Sequence, residues 1–189
     1  MNSDILEIIA DQKQLNEKVN ELAGKINSDY KGKSMIAVGI LKGSVMFFAD
    51  LTRKLDLCKF DFMAASSYGS SAVSSGKINI KKDLSEDVTG KDVLIIEDIL
   101  DTGNTLYLLK DYILSKGANS VKLCVLFDKP DRREKPITAD YTGFTIDNLF
   151  IVGYGLDYDE NYRNLPYVGG RLIPAPLSST PSTGRATAR

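Results

Sequence analysis

Apolar side chains recur at Ile5, Ile8, Leu15, Val19, Leu22 and Ile26. That spacing predicts a helix over residues 4–27, with Gly24 a flaw near its end. SMIAVGIL (34–41) then reads as a short buried strand, SVMFFADLTRKL (44–55) as a helix and CKFDFMAAS (58–66) as a second strand. SSYGSSAVSSG (66–76) is dominated by serine and glycine and reads as a mobile loop. KINIKKD (77–83) alternates as a half-exposed strand does. Thr89-Gly90 turns into the strand KDVLIIED, and TLYLLKDYILSKG (105–117) is an amphipathic helix closed by Gly117. SVKLCVLFDK (120–129) is a strand followed by the charged run KPDRREKP. LFIVGYG (149–155) is a further apolar strand whose exit is dense in Tyr, Asp and Arg.

Strands alternating with helices imply right-handed crossovers and a mainly parallel sheet, an α/β protein with helices on both faces. The unbroken apolar residues 93–96 suit a central strand covered on both sides. The 189 residues fit one domain with a proper core. Residues 174–189 lack periodicity and any acid, and read as a disordered tail.

Composition narrows the chemistry. A net charge of −1 gives no bulk attraction to nucleic acid or anionic membrane. No apolar run reaches the roughly 18–20 residues that span a bilayer, and the N-terminus lacks the basic-then-apolar layout of a signal peptide, so a cytoplasmic protein is expected. Histidine is absent, which excludes Ser-His-Asp and Cys-His catalysis and disfavours structural zinc. Cys58 and Cys124 lie in apolar stretches and read as reduced core residues.

In open α/β sheets ligands collect beyond the carboxyl ends of the strands. Four segments exit there: ILKGS (40–44), EDILDTGNT (97–105), DKPDRR (128–133) and GYGLDYDENYR (153–163). Neither G-x-G-x-x-G nor a P-loop is present, so dinucleotide and P-loop NTPase folds are unsupported. The small hydroxylated run 102–105, opening a helix, suits a phosphate. Yet Glu97, Asp98 and Asp101 crowd beside it. A sugar phosphate reconciles the two: its hydroxyls donate to Glu97 and Asp98, directly or through Mg²⁺, while its phosphate accepts from the 102–105 amides.

IIEDILDTGNT resembles the phosphoribosyl-pyrophosphate (PRPP) motif of the type I phosphoribosyltransferases: two acids, two hydrophobics, Asp-Thr-Gly, then a hydroxyl residue. ILKGS is similar to that family's pyrophosphate loop and SSYGSS…SSGK to its mobile lid. FIVGYGLDYDENYRNLPYVG resembles the purine-binding hood of its hypoxanthine-guanine branch. The resemblance implies a twisted, mainly parallel core (about 25–150) with a small hood from the N-terminal helix and 150–173. It also implies Mg²⁺-dependent transfer of phosphoribose from PRPP to N9 of hypoxanthine or guanine, with release of pyrophosphate, by a homodimer or homotetramer. By the family pattern Glu97 and Asp98 bind ribose hydroxyls and metal, Asp101 handles the purine N7 proton, and Asp101, Thr102, Gly103, Asn104 and Thr105 hold the 5-phosphate. Leu41, Lys42, Gly43 and Arg163 take pyrophosphate, with the Leu41–Lys42 peptide expected cis. Ser67 and Tyr68 close as a lid. Lys129 donates to the purine O6, Phe150 stacks on the ring, Ile151 and Asp157 present backbone carbonyls to the base, and Asp157 also holds a second Mg²⁺.

Two other readings compete. A PRPP-binding regulator of the same fold usually carries a DNA-binding domain or basic face, which this chain lacks, and would not need a Ser/Gly lid. A transferase for xanthine, uracil or adenine is the other; Lys129 with LFIVGYGLDYDENYR favours a 6-oxopurine over the latter two. Within KPDRREKP only Lys129 sits at the strand end and is expected at the site, most of the run being solvated surface.

Overall fold

The computed structural model describes residues 5–56, 58–67 and 78–171. The expected lid residue Tyr68, most of the Ser/Gly loop, and the tail from residue 174 lie outside them. The elements follow in the order β1 (Ile5–Ala10), α1 (Gln12–Asp29), β2 (Met35–Ile40), α2 (Val45–Thr52), β3 (Lys59–Ser67), β4 (Ile78–Lys82), β5 (Asp92–Leu100), α3 (Asn104–Ser115), β6 (Ser120–Asp128), β7 (Tyr141–Thr145), β8 (Ile151–Val152) and β9 (Val168–Arg171). Six strands form one sheet in the order β4-β3-β2-β5-β6-β7. All its neighbours pair parallel except β3 with β4, so the α/β fold class stands.

β5 runs through the middle of this sheet, and Val93, Leu94, Ile95 and Ile96 are fully buried. Successive side chains on a strand face opposite ways. Leu94 and Ile96 accordingly join Cys124, Leu126, Phe47 and Leu22 in a cluster under α1 and α2. Val93 and Ile95 join Leu123, Val125, Leu109 and Ile113 under α3. Each such buried side chain stabilises by roughly 1.5–3 kcal/mol. Cys124 is core, whereas Cys58 is only half-buried at the edge of the same cluster; both thiols are free.

The structure corrects two expectations. Residues 4–27 do not form one helix: Ile5–Ala10 is a strand pairing antiparallel with β9. The β-branched isoleucines suit that role, and Asp11 then starts α1 through a reciprocal capping box with Gln14. Nor is LFIVGYG a strand of the main sheet. Only Ile151–Val152 is extended, in a separate sheet of order β1-β9-β8. Gly153 and Gly155, both at φ 103, turn the chain out of it. The sixth main-sheet strand is instead β7, an edge strand of five residues. In it Gly143 faces the Leu126 carbonyl so closely that a Cβ would sit 2.5 Å from the oxygen.

Candidate active site at the strand ends

The parallel topology carries the exits of β2, β5 and β6 to one edge of the sheet, and the loop after β8 folds over them. Glu97 and Asp98 are neighbours near the end of β5, and their carboxyls act on each other. Asp98 is 7% exposed. Its Oδ1 accepts the Ile99 N–H at 2.8 Å. Burial pushes its carboxyl up to about 6, with Ile99 N–H and Arg163 pulling the other way. Glu97 Oε2 is buried without a hydrogen-bond partner. Burial and the adjacent Asp98 charge raise this carboxyl well above the usual range. Two adjacent buried acids, one with an unpartnered oxygen, are costly, and perturbed groups of this kind mark functional sites.

The β2 exit lies directly against Asp98. A Cβ on Gly43 would fall 1.9 Å from Asp98 Oδ2, and one on Gly155 would fall 1.9 Å from the Gly43 carbonyl oxygen. Three loops therefore meet backbone to side chain with room only for glycine. The Leu41–Lys42 peptide is cis, as expected. Lys42 Nζ lies 3.0 Å from Glu160 Oε2. Arg163 pairs with Asp157 at 2.9 Å and with Glu160 at 3.2 Å, and donates to the Gly155 carbonyl at 2.8 Å. Lys42, Arg163 and Asp157 are thus linked in one chain of ion pairs through Glu160, which the sequence reading did not single out. Tyr154, Asp159, Glu160 and Tyr162, the non-glycine residues with left-handed φ among those described, all belong to this loop. Such conformations persist where surrounding contacts hold them, commonly at functional sites.

A cavity of about 190 Å³ is lined by Ile40, Leu41, Glu97, Asp101, Thr102 and the start of α3 at Gly103, Asn104 and Thr105, among others. Gly103, at φ 82, makes the turn into the helix. A larger groove of about 1080 Å³ runs between the start of α1, α2 and residues 163–166, but it touches only Arg163 of the candidate residues. The smaller cavity is the better site because it gathers the perturbed acid and the helix N-terminus.

On the base side, Lys129 follows β6 and is 6% exposed. Burial lowers its pKa, against the pull of Asp101. Phe150 is half-buried and meets Tyr158 edge to face at 5.7 Å. Ile151 is buried in β8. Ser67 ends β3, paired with Ile78 of β4.

The charged run after Lys129 is largely exposed, as expected, yet several of its residues also bond to the β5 exit and the start of α3. Arg132 Nε donates to Asp101 Oδ1 at 3.0 Å. Arg133 reaches the Leu100 and Asp101 carbonyls and the Asp128 carboxylate. Glu134 Oε2 accepts from Asn104 Nδ2 at 2.6 Å, and the Glu134 and Lys135 N–H groups both donate to the Thr102 carbonyl. The position of the run immediately after a strand end was the available signal.

Fold and site together define a mainly parallel α/β protein whose strand exits gather buried acids, cations and a helix N-terminus. A model of the phosphoribosyl transferase domain matches residues 6–159, and the chain belongs to that family. It is 49% identical over 170 residues to the hypoxanthine-guanine phosphoribosyltransferase of Streptococcus pneumoniae (strain ATCC BAA-255 / R6), covering 89% of this chain and 94% of the relative. It is equally similar, over 170 residues, to the bifunctional protein TilS/HprT of Listeria innocua, but spans only 26% of that protein's length. Among solved structures, a hypoxanthine phosphoribosyltransferase from Staphylococcus aureus superposes with a TM-score of 0.87 at 45% identity, covering 91% of this chain and 96% of that one.

Proposed function

We propose that this chain transfers phosphoribose from PRPP to N9 of hypoxanthine or guanine, yielding IMP or GMP and pyrophosphate. The observation that carries the reading is a buried lysine, Lys129, tied by its N–H to the Leu100 carbonyl at 3.0 Å, beside the acid-and-helix cradle of residues 97–105. The C1–oxygen bond to pyrophosphate breaks with its electron pair leaving on pyrophosphate, and the N9–C1 bond forms. Asp101 takes the proton that the purine loses at N7. Asp101, Thr102, Gly103, Asn104 and Thr105 hold the 5-phosphate through amides and hydroxyls. Leu41, Lys42, Gly43 and Arg163 hold the departing pyrophosphate, the two cations exchanging their pairing with Glu160 and Asp157 for the ligand's oxygens. Lys129 donates to O6, Phe150 stacks on the ring, and the carbonyls of Ile151 and Asp157 read its edge. Ser67 and Tyr68 close over the reaction and exclude water.

The acids suit Mg²⁺. Glu97 Oε2 is buried and unpartnered and the Asp98 carboxyl is held above its normal range, so a cation would compensate both. Glu97 and Asp98 would hold one ion and Asp157 a second, supplying charge neutralisation at the ribose and pyrophosphate oxygens. No group of three His, Cys, Asp or Glu able to hold an ion lies together among the described residues. The remaining ligands would therefore be substrate oxygens and water. Val45, Met46 and Phe60, apolar and exposed on α2 and at the start of β3, support the expected homodimer or homotetramer, measurable by light scattering. No described helix is long and apolar enough to cross a membrane.

The test is PRPP-dependent nucleotide formation with hypoxanthine, guanine, xanthine, adenine and uracil, with and without Mg²⁺. Turnover of hypoxanthine or guanine is expected. Turnover of only adenine or uracil would refute the base assignment, and PRPP binding with no turnover of any base would favour a regulator.

A further inference from the structure

We propose that Arg133 is a positioning residue: it ties the exit of β5, which carries Asp101, to the exit of β6, which carries Lys129, and so sets where the carboxylate sits relative to the ammonium. The role rests on the transferase reading of this site. Arg133 Nη1 donates to the Leu100 carbonyl at 3.1 Å and also to the Asp101 carbonyl, while Nη2 pairs with the Asp128 carboxylate. The Leu100 carbonyl accepts a second bond, from the Lys129 N–H at 3.0 Å. One guanidinium thus reaches the last residue of β5, the first residue beyond it, and the last residue of β6. The residue following each strand is a proposed working group.

Both carbonyls lie where the chain leaves the sheet, and buried carbonyls there need donors from elsewhere. A planar fork with several fixed donors meets three acceptors at once, which a lysine cannot do. The side chain is 15% exposed. Its Cδ lies 3.2 Å from where a Cβ on Gly103 would be, so the stem also backs the turn into α3. Arg133 does not line the cavity, and its polar contacts are with backbone and with Asp128. Arg132, by contrast, pairs with the Asp101 carboxylate itself. Arg133 therefore acts through the geometry of its neighbours and not on the reacting atoms.

The full chain is assayed with PRPP, hypoxanthine and Mg²⁺ as unsubstituted protein, Arg133→Met, Arg133→Lys and Arg133→Ala, with Tm measured for each. Arg133→Met keeps the stem against Gly103 and removes the fork. A small misplacement of reacting groups costs up to about a hundredfold. The expectation is a fall in kcat of about ten- to a hundredfold for both Met and Lys variants, with Tm within a few degrees of the unsubstituted chain. Millimolar guanidinium should restore part of the activity of Arg133→Ala. Wild-type kcat and KM in Arg133→Met would overturn the role. So would losses that track a collapse of Tm in every variant with no rescue by guanidinium, since Arg133 would then only brace the fold. An unsubstituted chain that makes no nucleotide would instead refute the transferase reading, and this inference with it.

Discussion

Asp98, a proposed ligand-binding residue, illustrates what a buried carboxyl costs in stability. Its carboxyl, ordinarily near 3.8, is raised to about 6 by burial. Between those values the folded protein holds a proton that the unfolded chain has released, so stability falls as pH rises through that window. Above it the cost is fully present, roughly 3 kcal/mol at about 1.36 kcal/mol per pH unit. Asp98→Asn should therefore raise Tm at pH 7.5, and the gain should vanish below about pH 4. Equal Tm differences at both pH values would show that the substitution acts through packing. Asp101 makes the complementary test. Asp101→Asn keeps the size and hydrogen-bonding capacity of the side chain and removes the proton acceptor. General acid–base catalysis is worth roughly 100- to 10,000-fold, so kcat should fall by that order with KM for PRPP little changed. Near-normal kcat with a raised KM would make Asp101 a positioning group.

At the scale of the element, legibility depended on whether the deciding contact was local. The buried run 93–96 and the alternation of KINIKKD reported their strands correctly because each pattern reflects the element's own two faces. The helix reading fails at β1 because Ile5 and Ile8, three apart, match helical spacing by coincidence, Ile8 being exposed, and the pairing partner β9 lies about 160 residues away. The Asp11–Gln14 capping box was the local sign that the helix starts later. Asp61 shows what alternation alone misses: it reads as an ordinary polar position of a strand, yet it is 5% exposed. Its carboxylate accepts from the N–H groups of Phe62, Ser85 and Glu86 and lies 3.4 Å from Lys82 Nζ. Burial alone would raise this carboxyl, but the N–H donors and Lys82 hold it below the usual value. It therefore contributes stability above the unfolded value near 3.8, and that stability is lost as pH falls through the depressed folded value. Asp61→Asn should lower stability at pH 7 by about 1–3 kcal/mol, with the deficit shrinking in acid. An unchanged denaturation midpoint at pH 7 would remove Asp61 from the determinants of the β3–β4 edge.

Across the whole molecule, the two sheets share the proposed site unevenly. The six-stranded sheet ends at most of the residues assigned to PRPP and at Lys129, while Phe150, Ile151, Asp157 and Arg163 lie on or next to the small sheet β1-β9-β8. The proposed ribose and 5-phosphate residues fall within the short stretch 97–105, so local sequence alone could put them forward. The small sheet was only partly legible, since it joins residues 5–10 to residues 168–171 and no local pattern encodes that pairing. Gly169 lies at this seam: a Cβ there would sit 2.5 Å from Ile5 Cγ2 and 3.2 Å from the Glu7 carbonyl oxygen. Gly169→Val should push β1 away from β9 while leaving the main sheet's pairings untouched. Overpacking costs about 1–3 kcal/mol. If that cost falls on the base-binding elements, KM for the purine should rise about tenfold or more, with KM for PRPP within about twofold. Steady-state kinetics with each substrate varied at saturating partner separates the outcomes. An equal rise in both constants would mean that the two sheets act as one unit, and that the base and PRPP are not held by separable parts of the fold.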